Sequence, residues 1–150
     1  MCVALGAPPL GPSVPLRHQA ARLDDLSGVI LRARQTEWGV ADVVELCEVL
    51  PRFAALRTLD LSHNKIGPAG ASALSEALKV NPVLTELNLF NNGIGVDGAS
   101  NGAKAIAEAL KVNPVLTKLD LQYNSLQGEN AGRKAVLKAV KNRSGFELKL

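Results

Sequence analysis

Leu84-Thr85-Glu86-Leu87-Asn88-Leu89-Phe90-Asn91-Asn92 decides how this chain is read. The same spacing returns as Leu116-Thr117-Lys118-Leu119-Asp120-Leu121-Gln122-Tyr123-Asn124, and it appears earlier as Leu56-Arg57-Thr58-Leu59-Asp60-Leu61-Ser62-His63-Asn64. Equivalent leucines at 59, 87 and 119 are separated by 28 and 32 residues, so the chain is an internal repeat. Alternation of Leu59 with Leu61, Leu87 with Leu89 and Leu119 with Leu121 puts both leucines of each pair on one face of a short strand. The residues between them point the other way.

Each strand motif is followed by an apolar residue (Ile66, Ile94, Leu126), a glycine-rich turn and a helical pattern. Gly67-Pro68 opens the first helix, with proline at a position suited to the first turn. Leu74 and Leu78 lie four apart on one helical face, and Ile106 and Leu110 play those parts in the next repeat. In the third repeat, Gly132, Val136 and Val140 carry the phase. Lys79-Val80-Asn81-Pro82 and Lys111-Val112-Asn113-Pro114 end the helices. Asn is expected in the left-handed cap conformation, Lys at the negative end of the dipole, and Pro as the stop.

The run L-x-x-L-x-L-x-x-N-x-I-x-x-x-G, read to Gly70 and to Gly98, resembles the ribonuclease-inhibitor-like class of leucine-rich repeats. The resemblance covers about residues 28 to 150. It implies an α/β solenoid, a short right-handed βα horseshoe with parallel strands on the concave face and helices on the convex face. It also implies that Asn64, Asn92 and Asn124 form a buried column satisfying the backbone where the chain leaves the sheet. The class occurs in inhibitors, NOD-like receptors, actin-end caps and the Ran GTPase-activating protein. The resemblance therefore implies a protein-binding scaffold before it implies any partner. A regulator of the Ran GTPase-activating type, or a fragment of a larger leucine-rich repeat receptor, are the alternatives. None of the GTPase-activating family's loop residues maps onto this chain, and the acidic C-terminal region of that family is absent.

The 150 residues suit one repeat domain over 16–150, preceded by a Pro/Gly-rich tail over 1–15. Pro8, Pro9, Pro12 and Pro15 make the tail irregular in expectation. Leu16, Ala20 and Leu23 have helical spacing, so 15–26 reads as a short covering helix. Residues 28–55 read as a degenerate first repeat with a strand over 29–33, Thr36 in place of the Asn and Trp38 in place of Ile66. Trp38 and Cys47 read as core. Four extra residues in the second full repeat fall within 97–103. Phe146 to Leu150 reads as a further strand with no polar cap after it, which suggests end-to-end self-association through its edge.

Aromatic residues are 3% of the chain and charged residues 21%, a balance that suits a core of stacked leucines. The net charge of +3 is spread along the sequence, so neither a nucleic-acid surface nor a membrane surface is expected. Two cysteines, Cys2 and Cys47, make neither a disulfide framework nor a metal spacing, which favours a reducing, cytoplasmic setting. No apolar run reaches the ~18 residues that span a bilayer.

Gly93-Ile94-Gly95-Val96-Asp97-Gly98 matches the dinucleotide-binding pattern in outline, with Asp120 downstream. The repeat explains it better, because Gly95 and Gly98 take the places of Gly67 and Gly70. No cofactor and no metal are expected. No nucleophile adjoins a base, and His18 and His63 are the only histidines, so catalysis is not expected. What remains is the strand face pointing away from the leucines. Its columns offer Asp60, Asn88 and Asp120; Glu86 and Lys118; Phe90; and His63 and Tyr123. These eight residues are the candidate partner-binding set, with Phe90 and Tyr123 as anchors.

Overall fold

A computed structural model describes residues 2–4, 30–95, 100–128 and 130–150. The element order is β1 (Cys2–Ala4), β2 (Ile30–Ala33), α1 (Val40–Val49), β3 (Thr58–Asp60), α2 (Gly67–Val80), β4 (Glu86–Asn88), α3 (Asn101–Val112), β5 (Lys118–Asp120), α4 (Ala131–Val140) and β6 (Glu147–Lys149). A one-turn 3₁₀ helix, Leu50–Arg52, extends α1. The six strands form one sheet in sequence order, with β2 to β6 all parallel.

The register shows why the leucines recur in step. Leu31, Leu59, Leu87, Leu119 and Leu148 are successive partners across the sheet. Leu59, Leu61, Leu87, Leu89, Leu119 and Leu121 are all buried, and they meet Leu74, Leu78, Ile106, Leu110 and Val136 from the helices in one continuous core. Trp38 packs half-buried against that core, as expected for the residue in the place of Ile66. Truncating any one of these leucines to alanine removes transfer energy and leaves a cavity. The chain is thus an α/β leucine-rich repeat solenoid.

Neighbouring strands sit about 4.8 Å apart, whereas packed helices need about 8–10 Å. The strand side is therefore the shorter one, and the coil bends with the strands inside. Small residues draw the helices together. A β-carbon on Gly102 would lie 3.1 Å from Ala71 Cβ and 2.9 Å from Pro68 Cα, and one on Gly132 would lie 2.6 Å from Ala103 Cβ. Gly70, Gly102 and Gly132 each sit in the first turn of their helix. Gly102, not Gly98, is thus the counterpart of Gly70, and the four added residues precede α3. Positions 96–99, which hold most of that addition, lie outside the described residues.

Two asparagine columns close the coils. Asn64 Nδ2 donates to Ala33 O at 2.6 Å and Leu61 O at 2.9 Å, while its Oδ1 accepts from the amides of Thr36 and Trp38. Asn124 Nδ2 donates to Leu89 O at 2.7 Å and Leu121 O at 3.0 Å; its Oδ1 accepts from the amides of Asn92 and Ile94. Each side chain therefore ties its own repeat to the preceding one. Asn92 donates to Leu61 O at 2.9 Å, but its buried Oδ1 has no partner among the described residues.

The second column corrects the sequence reading of the helix ends. Asn81 and Asn113 are not left-handed; their φ values are −81° and −91° with extended ψ. Their side chains do the capping. Asn113 Oδ1 accepts from the amides of Val115 and Leu116 at 2.8 and 2.9 Å, and its Nδ2 donates to Leu78 O at 2.6 Å. In the last repeat Arg143 takes over. Its guanidinium donates to Leu110 O at 3.1 Å and to Leu116 O, and stacks 4.6 Å from the Phe146 ring. Leu110 lies one repeat, 32 residues, beyond Leu78, so the arginine reaches the carbonyl that an asparagine reaches one coil earlier. Partial burial lowers the arginine's pKa by desolvation.

The tail reading needs one amendment. Cys2–Ala4 forms a strand antiparallel to β2, with Cys2 opposite Ala33 and Ala4 opposite Leu31. These residues precede the first proline and can still donate to a ladder, and they pair with the otherwise open edge of β2. The expected helix over 15–26 and the prolines of the tail lie outside the described residues.

Candidate protein-binding face

Strand-face side chains first hold the chain in shape. Asp60 Oδ1 accepts from Ser62 N at 3.1 Å, Asn88 Oδ1 from Phe90 N at 3.0 Å, and Asp120 Oδ1 from Gln122 N at 3.0 Å. The three are equivalent turns at the strand exits, made by short side chains that reach their own backbone two residues on. Asp60 and Asp120 are also ion-paired, with Arg34 at 3.4 Å and Lys149 at 3.9 Å. Lys118 pairs with Glu147 at 3.4 Å, and Glu86 is its register neighbour on the other side. Ser62, one column over, is buried beneath Arg34, whose Nε donates to it at 3.0 Å. Much of this face is thus engaged with itself.

The aromatic positions differ. Beyond the strand ends the backbone ladder continues, with His63 N donating to Phe90 O at 2.9 Å and Asn91 N to Gln122 O at 3.0 Å. That ladder fixes three rings one coil apart. His63 lies 5.0 Å from Phe90, and Phe90 lies 4.7 Å from Tyr123, with interplanar tilts of 46° and 42°. The separations match the strand spacing, so the rings form a row across the sheet. Phe90 is half-buried between its two ring neighbours. Tyr123 is 71% exposed. Asn91 Nδ2 sits 3.2 Å from His63 Nδ1, within hydrogen-bonding distance.

Gln35, His63, Asn91 and Tyr123 occupy one column, and all have positive φ, between 52° and 59°. Asn tolerates that conformation; for a histidine or a tyrosine it costs about 1 kcal/mol or more. The strain turns the side chains of His63 and Tyr123 onto Phe90 from either side.

The glycine motif has a packing explanation. A β-carbon on Gly95 would lie 2.6 Å from Asn124 O, and its amide donates to that carbonyl at 2.9 Å. Gly93 has φ +67°. Gly98 lies outside the described residues. Among the described residues no three His, Cys, Asp or Glu side chains gather to hold a metal ion. No helix among them is long and apolar enough to cross a membrane.

Burial pushes the Cys47 thiol up to about 11. A raised thiol pKa keeps the neutral form, so reactivity appears only as pH climbs towards that value. We expect alkylation of the Cys47 peptide by iodoacetamide in native protein to be about 100-fold slower at neutral pH than for an unhindered thiol of pKa ~8.5, and to accelerate steeply above pH ~9. Peptide mass spectrometry separates it from Cys2. Rapid labelling at neutral pH would show that Cys47, part-buried against the core, is not protected there.

Comparison with known proteins agrees with this geometry. The leucine-rich repeat family model matches residues 55–75, 80–101 and 112–129. The actin-binding site 2 of leiomodin-1 has a similar fold, with a TM-score of 0.74 at 23% identity, over 93% of this chain and 80% of that one. The tropomodulin C-terminal domain of Caenorhabditis elegans is similar at a TM-score of 0.53 and 14% identity, over 85% and 92% of the two chains. No curated protein sequence matches significantly. The matched repeats coincide with the coils whose leucines, asparagines and strand exits are described above, and the chain is a leucine-rich repeat protein.

Proposed function

We propose that this chain is a non-catalytic module that binds another protein through its strand face, with the His63–Phe90–Tyr123 row as the anchor. The row carries the reading. It places an aromatic side chain 71% exposed beside a half-buried one, on a rigid ladder and at the expense of backbone strain. Aromatic rings held in this way lose little entropy on binding, which is why they dominate interface energetics. Asn88, Asp60, Asp120 and Lys118 shape the face through their own turns and ion pairs, so their share in binding is secondary. Glu86 adds negative charge near its centre.

The leiomodin-1 domain of similar fold is named for binding actin, and actin is accordingly the first partner to test. Variants must respect the backbone. Tyr123→Asn and His63→Asn keep a residue that accepts positive φ, as Asn91 does in the same column. Phe90→Ala removes the central ring. We expect Tyr123→Asn combined with Phe90→Ala to weaken partner capture by about tenfold or more, while the melting temperature falls by only a few degrees. Cosedimentation with actin and affinity capture from cell extract give the readout. Undiminished capture by the double variant, or unfolding in step with lost capture, would make the rings structural. A GTPase regulator of the Ran type is the competing function, and it requires this chain to accelerate single-turnover GTP hydrolysis.

A further inference from the structure

Given that the strand face is a binding surface, as proposed above, we infer that its partner presents a Lys or Arg side chain in an extended segment, and that Glu86 selects it. A charge can choose a partner only if nothing in its own chain has already neutralised it. On β3 to β6 the other charged side chains of the face are engaged. Asp60 pairs with Arg34 at 3.4 Å, Asp120 with Lys149 at 3.9 Å and Lys118 with Glu147 at 3.4 Å. Glu86 has no ion pair and no side-chain hydrogen bond among the described residues. Its register neighbours are Thr58, which is uncharged, and Lys118, whose ammonium is paired on the far side. Arg32, also unpaired among the described residues, lies two strands away on β2, on the opposite side from Tyr123.

Glu86, Asn88 and Phe90 are alternate residues, with Leu87 and Leu89 buried between them, so all three stand on the strand face. At about 3.3 Å per residue, Glu86 lies about 13 Å from Phe90. Asn88, between them, is uncharged and spends its Oδ1 on the Phe90 amide. A segment crossing the face along β4 therefore meets a carboxylate at one end and the Phe90–Tyr123 rings at the other. The complement is a cationic residue and an apolar one the same distance apart. In an extended chain these stand four residues apart and share a face. On a helix the residues seven and eleven along share a face, at about 10.5 and about 16.5 Å, so the extended segment fits better. Glu86 is half-buried, and a cation held there is screened less than one at open surface.

The test is titration of the full chain with two synthetic peptides, followed by amide shifts in NMR spectra. One carries arginine and tryptophan four residues apart, with glycine and threonine elsewhere; the other has glutamate for arginine. We expect the arginine peptide to bind about tenfold or more tighter at low salt, with the preference shrinking in high salt. Glu86→Gln should abolish the preference and Glu86→Lys should invert it. Both variants should melt within about 1 °C of wild type, because no contact among the described residues is lost. Phe90→Ala with Tyr123→Asn should weaken both peptides alike. Equal binding of the two peptides by wild type, no binding of either, or a preference that survives Glu86→Gln overturns the inference. If the ring variant still weakens both peptides in that case, the strand face stands as the binding surface and only the choice of partner falls. If the arginine peptide binds through Glu86 but the ring variant leaves it unchanged, the rings are not the anchor and the charge preference stands.

Discussion

Asn124→Ala is expected to lower stability by about 3–5 kcal/mol, enough to unfold much of the chain at body temperature. Asn124 donates to Leu89 O and Leu121 O and accepts from the amides of Asn92 and Ile94. Alanine leaves two carbonyls and two amides without partners in a place that water does not reach, since Asn124 is 1% exposed. Burying an unsatisfied backbone group costs about 1–3 kcal/mol, and the four are not independent, which holds the total below their sum. The variant also distinguishes tying from filling. Asn124→Leu fills the space with a side chain of like branching but restores no hydrogen bond, so it should be at least as damaging as alanine. Urea denaturation of both variants is the measurement. A loss below about 1 kcal/mol for alanine would mean that the coils are held by leucine packing alone.

Arg143→Ala should release the last coil while leaving the rest folded. The guanidinium ties α3, through Leu110 O, to the start of β5, through Leu116 O, and packs on Phe146 at the entry to β6. Charge-assisted bonds to carbonyls are worth about 1.5–3 kcal/mol, so the expected loss is of the order of 3 kcal/mol and local. Amide exchange is the sensitive readout. Glu147 N, which donates to Thr117 O, and Leu121 N, which donates to Lys149 O, should lose protection. Leu61 N and Leu89 N, in earlier coils, should keep theirs. Arg143→Lys should rescue little, because one ammonium cannot span both carbonyls in the planar fork of arginine. Uniform loss of protection along the chain would show that the repeats unfold as one unit.

Leucine spacing made the coil legible because burial on one strand face enforces a period of two, and stacking enforces a step near 28. The asparagines after the strands were legible for the same reason. Other features were hidden. Asn81 and Asn113 look like left-handed caps, because composition does not distinguish a residue that bends its backbone from one whose side chain reaches two coils. Arg143 shares no residue type with Asn113, so nothing in the pattern marks it as the stand-in. The aromatic row comes from three separate coils, with Phe90 in a column beside that of His63 and Tyr123. Only the positive φ of the latter two brings the rings together.

Asn92 leaves the stack uneven. Asn64 and Asn124 bind amides through their side-chain oxygens, but the oxygen between them is idle among the described residues. Pulled from its two ends, a chain of joints parts at the weakest. Under mechanical load the spring should first give way between the second and third turns, splitting into two fragments before either unravels.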